Sequence, residues 1–327
     1  MTSPPFAVAR AHPNIALAKY WGKVPGSANA PAVPSLSVTL AGMTTETRVA
    51  WTDEPDDRIE INGELADPRA RARAIELVDR VRRAAGLSRR VHVASRNDFP
   101  TASGLASSAS GFAALALASA AAAGLPIDLG ELSDWARRTS ASSARSLFGG
   151  YVELDAGRAG DAPLAARPVA PAEALPLVVL VAVTTEAKKD VSSTDGMNRT
   201  ARESPYYAAW LEHAPRLFAE VRAGVLAGDL ARVGEAAEAS ALAMHASAIA
   251  AGVVYFRGAT VEVLAAVRAL RAAGTGAWAT IDAGPHVKVL VSPRDAAAVE
   301  ASLRAIPYVV RVLVATPGPG ATLVEAT

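Results

Sequence analysis

The sequence predicts an α+β protein of two lobes, and three observations carry that prediction. Strand-like runs dominate the N-terminal part, the second half mixes strands and long helices without strict β-α-β alternation, and glycine and proline thicken over 156–176 between them. Taken in order, short apolar or alternating runs predict strands at 35–40, 45–51, 58–61 and 91–95, with Asn62-Gly63 as a turn after the third. Helical periodicity covers 68–85, then 109–123 and 129–139, with Gly124-Leu125-Pro126 breaking the last two apart. A strand is expected at 151–154 after Gly149-Gly150, and 156–176 reads as a linker. Beyond it the pattern predicts a strand at 177–183, a polar loop at 184–200 and helices at 205–227, 230–250 and 260–273. Strands at 278–281 and 287–291, a helix at 293–305 and a strand at 309–315 complete the chain. The expected division is 1–175 and 176–327.

Composition narrows the function classes. A chain of 327 residues that is 51% hydrophobic has core for one large domain or two ordinary ones. Cysteine is absent, which excludes disulfides, thiol nucleophiles and cysteine-ligated metals and fits a reducing cytoplasm. With 33 basic against 32 acidic residues there is no overall field for nucleic acid. The arginine runs at 69–73 and 80–83 fall at helical spacing among Ile75, Leu77, Val78 and Val81, a solvated helix face by default from which an anionic substrate could recruit a member. No charged start followed by an apolar run opens the chain, and the alanine-rich 112–123 reaches only about half the ~20 residues of a membrane span, so a soluble protein is expected.

Four clusters carry chemistry. The run NDFPTASGLASSASG at 97–111 leads into a helix, so unpaired backbone N–H groups and serine hydroxyls meet at a helix start. That is either a phosphate cradle without a Walker lysine or a cap with close helix packing; neither GxxxxGK[ST] nor GxGxxG after a strand is present. HPNIALAKYWGK at 12–23 gathers two lysines, an asparagine and two aromatics, readable also as snorkelling lysines around a buried Tyr and Trp. RRTSASSARSLFGG at 137–150 joins hydroxyls to Arg145, whose fork suits a carboxylate or phosphate, or is a helix cap with a surface arginine. TIDAGPHVK at 280–288 places Asp282 at the end of an apolar strand before a Gly-Pro turn, where turn capping is the commoner role.

In order and text these clusters resemble the diphosphomevalonate decarboxylases, ATP-dependent members of the GHMP kinase superfamily. The likeness runs from 11 to about 293 through NIALAKYWGK (14–23), FPTASGLASSASGF (99–112), SLFGG (146–150), KKDVSSTDGM (188–197) and DAGP (282–285). The resemblance implies a GHMP kinase fold, with a ribosomal-S5-like N-terminal lobe, a ferredoxin-like C-terminal lobe and the active site between them. It implies conversion of diphosphomevalonate and ATP to isopentenyl diphosphate, ADP, phosphate and CO2 in the mevalonate route to isoprenoids, with Mg2+ accompanying the ATP and no protein metal ligand assigned. It further implies a homodimer, while composition gives the expectation of a cytoplasmic protein with neither nucleic acid nor membrane as partner.

Residue by residue, the resemblance gives catalytic roles to Asp282 as base or orienter of the 3-hydroxyl, to Lys19 beside it, and to Arg145, held by Asn14, on the substrate carboxylate. Substrate or phosphate binding falls to Tyr20, Trp21, Lys23, Arg73, Ser140, Ser142, Ser192, Ser193 and Thr194. ATP binding falls to Ser103, Gly104, Ala106, Ser107, Ser108 and Lys188. Three departures bear on the pocket: Pro31-Ala32-Val33-Pro34 where the family has Asn or Asp before its Ser-Leu-Ser strand, Thr139-Ser140-Ala141-Ser142 for the usual Gly-Ser-Gly-Ser, and His286, expected as a turn residue, for Asn. Alternatives are a decarboxylase of phosphomevalonate or another 3-hydroxy acid, a 3-hydroxyl kinase without decarboxylation, and a non-catalytic GHMP-fold binding protein. Lys19 together with Asp282 disfavours the second, and the intact base and carboxylate clamp disfavour the third.

Overall fold

The computed structural model describes residues 5–99, 107–160, 162–187 and 190–326. The N-terminal part supplies β1 (Phe6–Ala11), β2 (Asn14–Ala18), β3 (Ser35–Thr39), β4 (Thr45–Thr52), β5 (Arg58–Ile61), β6 (Glu64–Leu65), α1 (Pro68–Ala84), β7 (Arg90–Asn97), α2 (Ser107–Ala122) and α3 (Leu129–Thr139). A 3-10 turn at Ala141–Leu147 leads to β8 (Tyr151–Leu154) and β9 (Arg167–Ala170). The remainder supplies β10 (Val178–Val183), α4 (Ser193–Glu203), α5 (Tyr207–Ala227), α6 (Leu230–Ala250), α7 (Gly258–Ala272), β11 (Ala277–Ile281), β12 (Val287–Val291), α8 (Ala296–Arg304), β13 (Arg311–Ala315) and β14 (Thr322–Ala326).

These elements form three sheets, ordered β14-β1-β4-β7-β5-β6, β2-β3-β8-β9 and β11-β12-β10-β13. Helices α1, α2 and α3 close one core with the first sheet through Leu77, Val78, Val81, Leu115 and Leu132. Helices α7 and α8 close another against one face of the third sheet. A further core joins Ile15, Leu36 and Val38 of the second sheet to Val179, Val181 and Leu290 of the third, with Val221 and Val233 of α5 and α6 between them. The two lobes thus share apolar packing, and the final strand β14 returns to pair with β1. That shared packing fixes the cleft walls relative to one another.

Local chemistry accounts for the well-marked elements. Asp67 and Asp128 accept backbone N–H groups at the starts of α1 and α3, and Asp229 does the same for α6. Gly228, at φ +68, ends α5 in the left-handed conformation that glycine adopts without steric cost. Two expectations are corrected. The predicted loop at 184–200 contains α4, which opens on Ser192 accepting from Asp195 N–H; its polar run buries only Gly196, Met197 and Thr200, so no apolar period announced it. The predicted linker at 156–176 contains β9, paired antiparallel to β8. Strands β1, β2, β6 and β14 also lay outside the expected set, β1 and β2 being rich in alanine, a weak strand signal.

Helix α6 lies unusually close to β11, because Gly234 meets the Trp278 ring: an added Cβ would stand 2.2 Å from Trp278 Cδ2. Gly234→Ala is therefore expected to destabilise the protein by about 1–3 kcal/mol through overpacking, despite the better helix propensity of alanine. Urea unfolding of the two proteins checks this; an unchanged midpoint would show that the ring yields freely.

Candidate active site

A cleft of about 520 Å3 opens between the lobes. At its floor stands Asp282, directly after β11, in a turn closed by Gly284 N–H donating to the Asp282 carbonyl at 2.7 Å. Lys19, directly after β2, donates from Nζ to Asp282 Oδ1 at 2.6 Å and to the Ala16 carbonyl at 2.8 Å. Lys288 of β12 lies 3.1 Å from Oδ2, brought there because β11 and β12 pair Thr280 with Lys288. The two lysines are 2% and 1% exposed and the aspartate 26%. The side chain of Asp282 is thus engaged by two ammonium groups, which a turn cap would not require.

The electrostatics follow from this clamp. Burial works to raise the Asp282 carboxyl, but the Lys19 and Lys288 charges outweigh it and hold the group well below the usual carboxylate range. Lys19 is pushed down to about 8, mainly by burial, with Lys288 and Arg145 adding repulsion and Asp282 opposing. His245 of α6, reaching the Ile281 carbonyl at 3.3 Å, falls to about 4 through burial and the Lys19 charge. It is neutral at physiological pH.

Asn14 lines the cleft and Arg145 lies buried outside its lining, and the two are not in the expected pairing. Asn14 gives its amide to the Ser142 carbonyl at 2.9 Å and to Ser146 Oγ at 2.8 Å. Arg145, 2% exposed, is held instead by Ser37 through Nε at 2.6 Å and Ser35 through Nη1 at 2.7 Å. The alternative of a surface arginine is therefore excluded: two β3 hydroxyls anchor the guanidinium below the cleft. Burial lowers it to about 10, so it stays charged, and it acts on Asp282 and Tyr20 through its field.

The walls carry cations and hydroxyls. Lys23 donates to Thr194 Oγ1 at 3.2 Å, across the cleft to the start of α4, and burial together with Arg73 lowers its pKa. Arg73 donates to the Thr139 carbonyl at 3.0 Å and lies over the Phe112 ring, 4.7 Å from its centroid. Ser140 and Ser142 face each other at 3.2 Å, and Ser192, Ser193, Ser107 and Ser108 complete the lining, the last two as the first residues of α2. Tyr20 borders the cleft, and burial pushes its phenol up. Trp21, expected as a substrate contact, reaches the cleft edge but is mostly core, packed edge-on to Tyr255 with centroids 6.1 Å apart. Ser103, Gly104, Ala106 and Lys188 lie outside the described residues.

Sequence reasoning passed over Lys288, Arg69 and Asp195. Lys288 was visible as the lone lysine inside a Val/Leu strand. Arg69 stands four residues before Arg73, hence on the same face of α1, and donates to Ser192 Oγ at 3.2 Å while pairing with Asp195 at 3.6 Å. His286, expected simply as a turn residue, is fully buried and its Nδ1 accepts Thr184 N–H at 3.2 Å. Of the other departures, Val33 packs in the core beside Trp21 and Met197, whereas Thr139 and Ala141 line the cleft, Ala141 also packing beside Ala144 and Val152.

Among the described residues no trio of His, Cys, Asp or Glu could hold a metal ion. Hydroxyls at the start of α2 and the Lys23, Arg69 and Arg73 cations instead suit a polyphosphate that brings its own magnesium.

Comparison with known proteins places this architecture. Residues 11–165 match the model of the diphosphomevalonate decarboxylase-like N-terminal domain, and 179–311 that of the mevalonate 5-diphosphate decarboxylase C-terminal domain. A diphosphomevalonate decarboxylase of Candida albicans is 34% identical over 84% of this chain and 81% of its own. The mevalonate diphosphate decarboxylase structure from Staphylococcus aureus superposes with a TM-score of 0.93 at 34% identity, over 98% of both chains. A structure described as MDDEF in complex with MVAPP, AMPPCP and magnesium superposes with a TM-score of 0.91 at 37% identity, over 98% of this chain and 99% of the other. The three-sheet arrangement is accordingly the GHMP kinase fold of those structures, and this chain belongs to the diphosphomevalonate decarboxylase family.

Proposed function

We propose that the protein is an ATP-dependent carboxy-lyase that converts diphosphomevalonate to isopentenyl diphosphate, with release of ADP, phosphate and CO2. The observation that carries the reading is the Asp282 carboxylate clamped by Lys19 at the closed end of a cleft whose walls are cationic and hydroxyl-rich. Relatives 34–37% identical across nearly the full chain support it, one of them complexed with MVAPP, AMPPCP and magnesium. ATP and Mg2+ are the cofactors. Mg2+, brought in with the ATP, would neutralise charge that opposes phosphoryl transfer.

The residues divide the work as follows. Asp282, held ionised, accepts the hydrogen bond of the tertiary 3-hydroxyl and aligns that oxygen for attack on the γ-phosphorus. Lys19 fixes the carboxylate and, as the group titrating closest to working pH, is placed to relay the hydroxyl proton. Once phosphorylated, the oxygen leaves as phosphate; positive charge grows at carbon 3, the C1–C2 bond breaks, its electron pair becomes the new double bond, and CO2 departs. Arg145 and Lys19 hold the carboxylate end by charge until that step. Lys23, Arg73, Ser140, Ser142, Ser192, Ser193 and Thr194 take the diphosphate, and Ser107 and Ser108 take the ATP phosphates, together with Ser103, Gly104, Ala106 and Lys188.

Steady-state assays that follow ADP and CO2 test this, with kcat/KM expected in the order diphosphomevalonate, phosphomevalonate, mevalonate. A reversal in favour of the monophosphate would move the assignment to a phosphomevalonate decarboxylase, and ADP without CO2 would make it a kinase. The family likeness also supports a homodimer, to be read by light scattering after gel filtration, and a cytoplasmic location, which suits a chain without cysteine. No helix among the described residues is long and apolar enough to cross a membrane.

A further inference from the structure

Of the 33 basic residues in this chain only five are lysine, at positions 19, 23, 188, 189 and 288; arginine takes every other cationic position. Two of those five, Lys19 and Lys288, converge on one carboxylate. Lys288 alternates with Val287, Val289 and Val291, which pack into the α7/α8 core, so it shares with Leu290 the opposite face of β12, toward β2 and α6. There it is 1% exposed and outside the cleft lining, 3.1 Å from the buried Oδ2 of Asp282. An ammonium buried so completely is costly unless paired, and a compact point charge fits behind a carboxylate where a guanidinium fork does not.

We propose that Lys288 is a positioning residue for the reaction: it pins Asp282 Oδ2 from behind the cleft floor, turning Oδ1 toward Lys19 and the substrate hydroxyl. Acting through Asp282 without touching substrate, it also sets the charge balance of the floor. Three cations, Lys19, Lys288 and Arg145, there face one carboxylate, an excess of positive charge that an anionic substrate completes. The other groups within reach are His245 of α6, His286 before β12 and Arg311 of β13. Burial takes His245 to about 4 and His286 to about 3, so neither changes charge near neutral pH. Lys19 is the group that does, and the Lys288 charge is one of the forces lowering it.

With only five lysines, [13C]lysine labelling resolves the titration of Lys19 directly by NMR, independently of turnover. In Lys288→Met the Lys19 midpoint is expected to move to higher pH, a gain of roughly tenfold in proton affinity, because a neighbouring positive charge is gone. The alkaline limb of kcat/KM should move the same way. Kcat should fall roughly 10-fold to 100-fold while KM for either substrate stays within about threefold, the pattern of a misaligned reacting group with intact binding. Lys288→Gln, which keeps a polar side chain of similar length, carries the same readouts if the methionine variant does not fold. A lowered melting temperature with the Lys19 midpoint and kcat unchanged overturns the proposal, leaving Lys288 a structural residue. The kcat arm rests on the decarboxylase reading; the NMR arm does not, so failure of the activity assignment and failure of the positioning role are distinguishable.

Discussion

Asp282→Asn is expected to lose roughly 10²-fold to 10⁴-fold in turnover, the range for removing a group that accepts or orients a transferring proton. Asparagine keeps the shape and would satisfy a turn, so a purely structural Asp282 would lose little. Single-turnover quenching should show ADP and CO2 suppressed together, because phosphoryl transfer precedes decarboxylation. Should ADP appear at the parent rate while CO2 does not, Asp282 acts after phosphorylation and its assignment to the first step is wrong. The ion-pair geometry adds a stability effect: the change leaves Lys19 and Lys288 buried side by side without a counter-charge, a loss of about 3 kcal/mol near neutral pH. Its pH dependence has a definite sign. Unpartnered buried ammonium groups have folded pKa values below the unfolded one, so the unfolded state binds more protons and the variant gains stability relative to the parent as pH rises through the Lys19 range around 8. Melting curves at pH 7 and 9 check this, and a constant gap between the two proteins would contradict it.

Arg145→Leu should lower kcat/KM roughly 30-fold to 1000-fold, equivalent to about 2 to 4 kcal/mol of transition-state stabilisation from its buried charge. The variant should also melt earlier. Ser35 and Ser37 lie fully buried, and each loses the donor that held it, at about 1–3 kcal/mol per orphaned hydroxyl. A combined variant carrying Ser35→Ala and Ser37→Ala separates the two effects, because those methyl groups need no donor and restore stability without restoring the charge. Normal kcat/KM in either variant would remove Arg145 from the chemistry.

Much of the site was legible because its residues occupy the ends of elements, where short-range chemistry leaves a mark. Asp282 follows a mostly apolar strand, Lys19 follows β2, Arg145 sits in a tight turn before Gly149-Gly150, and Ser107 opens a helix. Helices with carboxylate caps, such as Leu129–Thr139 and Leu230–Ala250, were legible to the residue for the same reason. Helix α4 was not, since its polar sequence owes its place to contacts of Met197 and Thr200 with the rest of the fold.

What the chain determined by itself was therefore the family text and the candidate reacting groups proposed from it: periodicity, caps and turn residues act between neighbours, and one sequence suffices to read them. The partners of those groups were decided by tertiary structure. Lys288 meets Asp282 only through the register of β11 on β12, and Lys19 meets it only because β2 of one lobe packs against the sheet of the other. Arg145 is fixed by serines 108 and 110 residues away, on a strand that no local signal links to it. Charges buried together set one another's protonation over a few ångströms, and those distances come from packing between distant segments, which pattern along the chain does not encode.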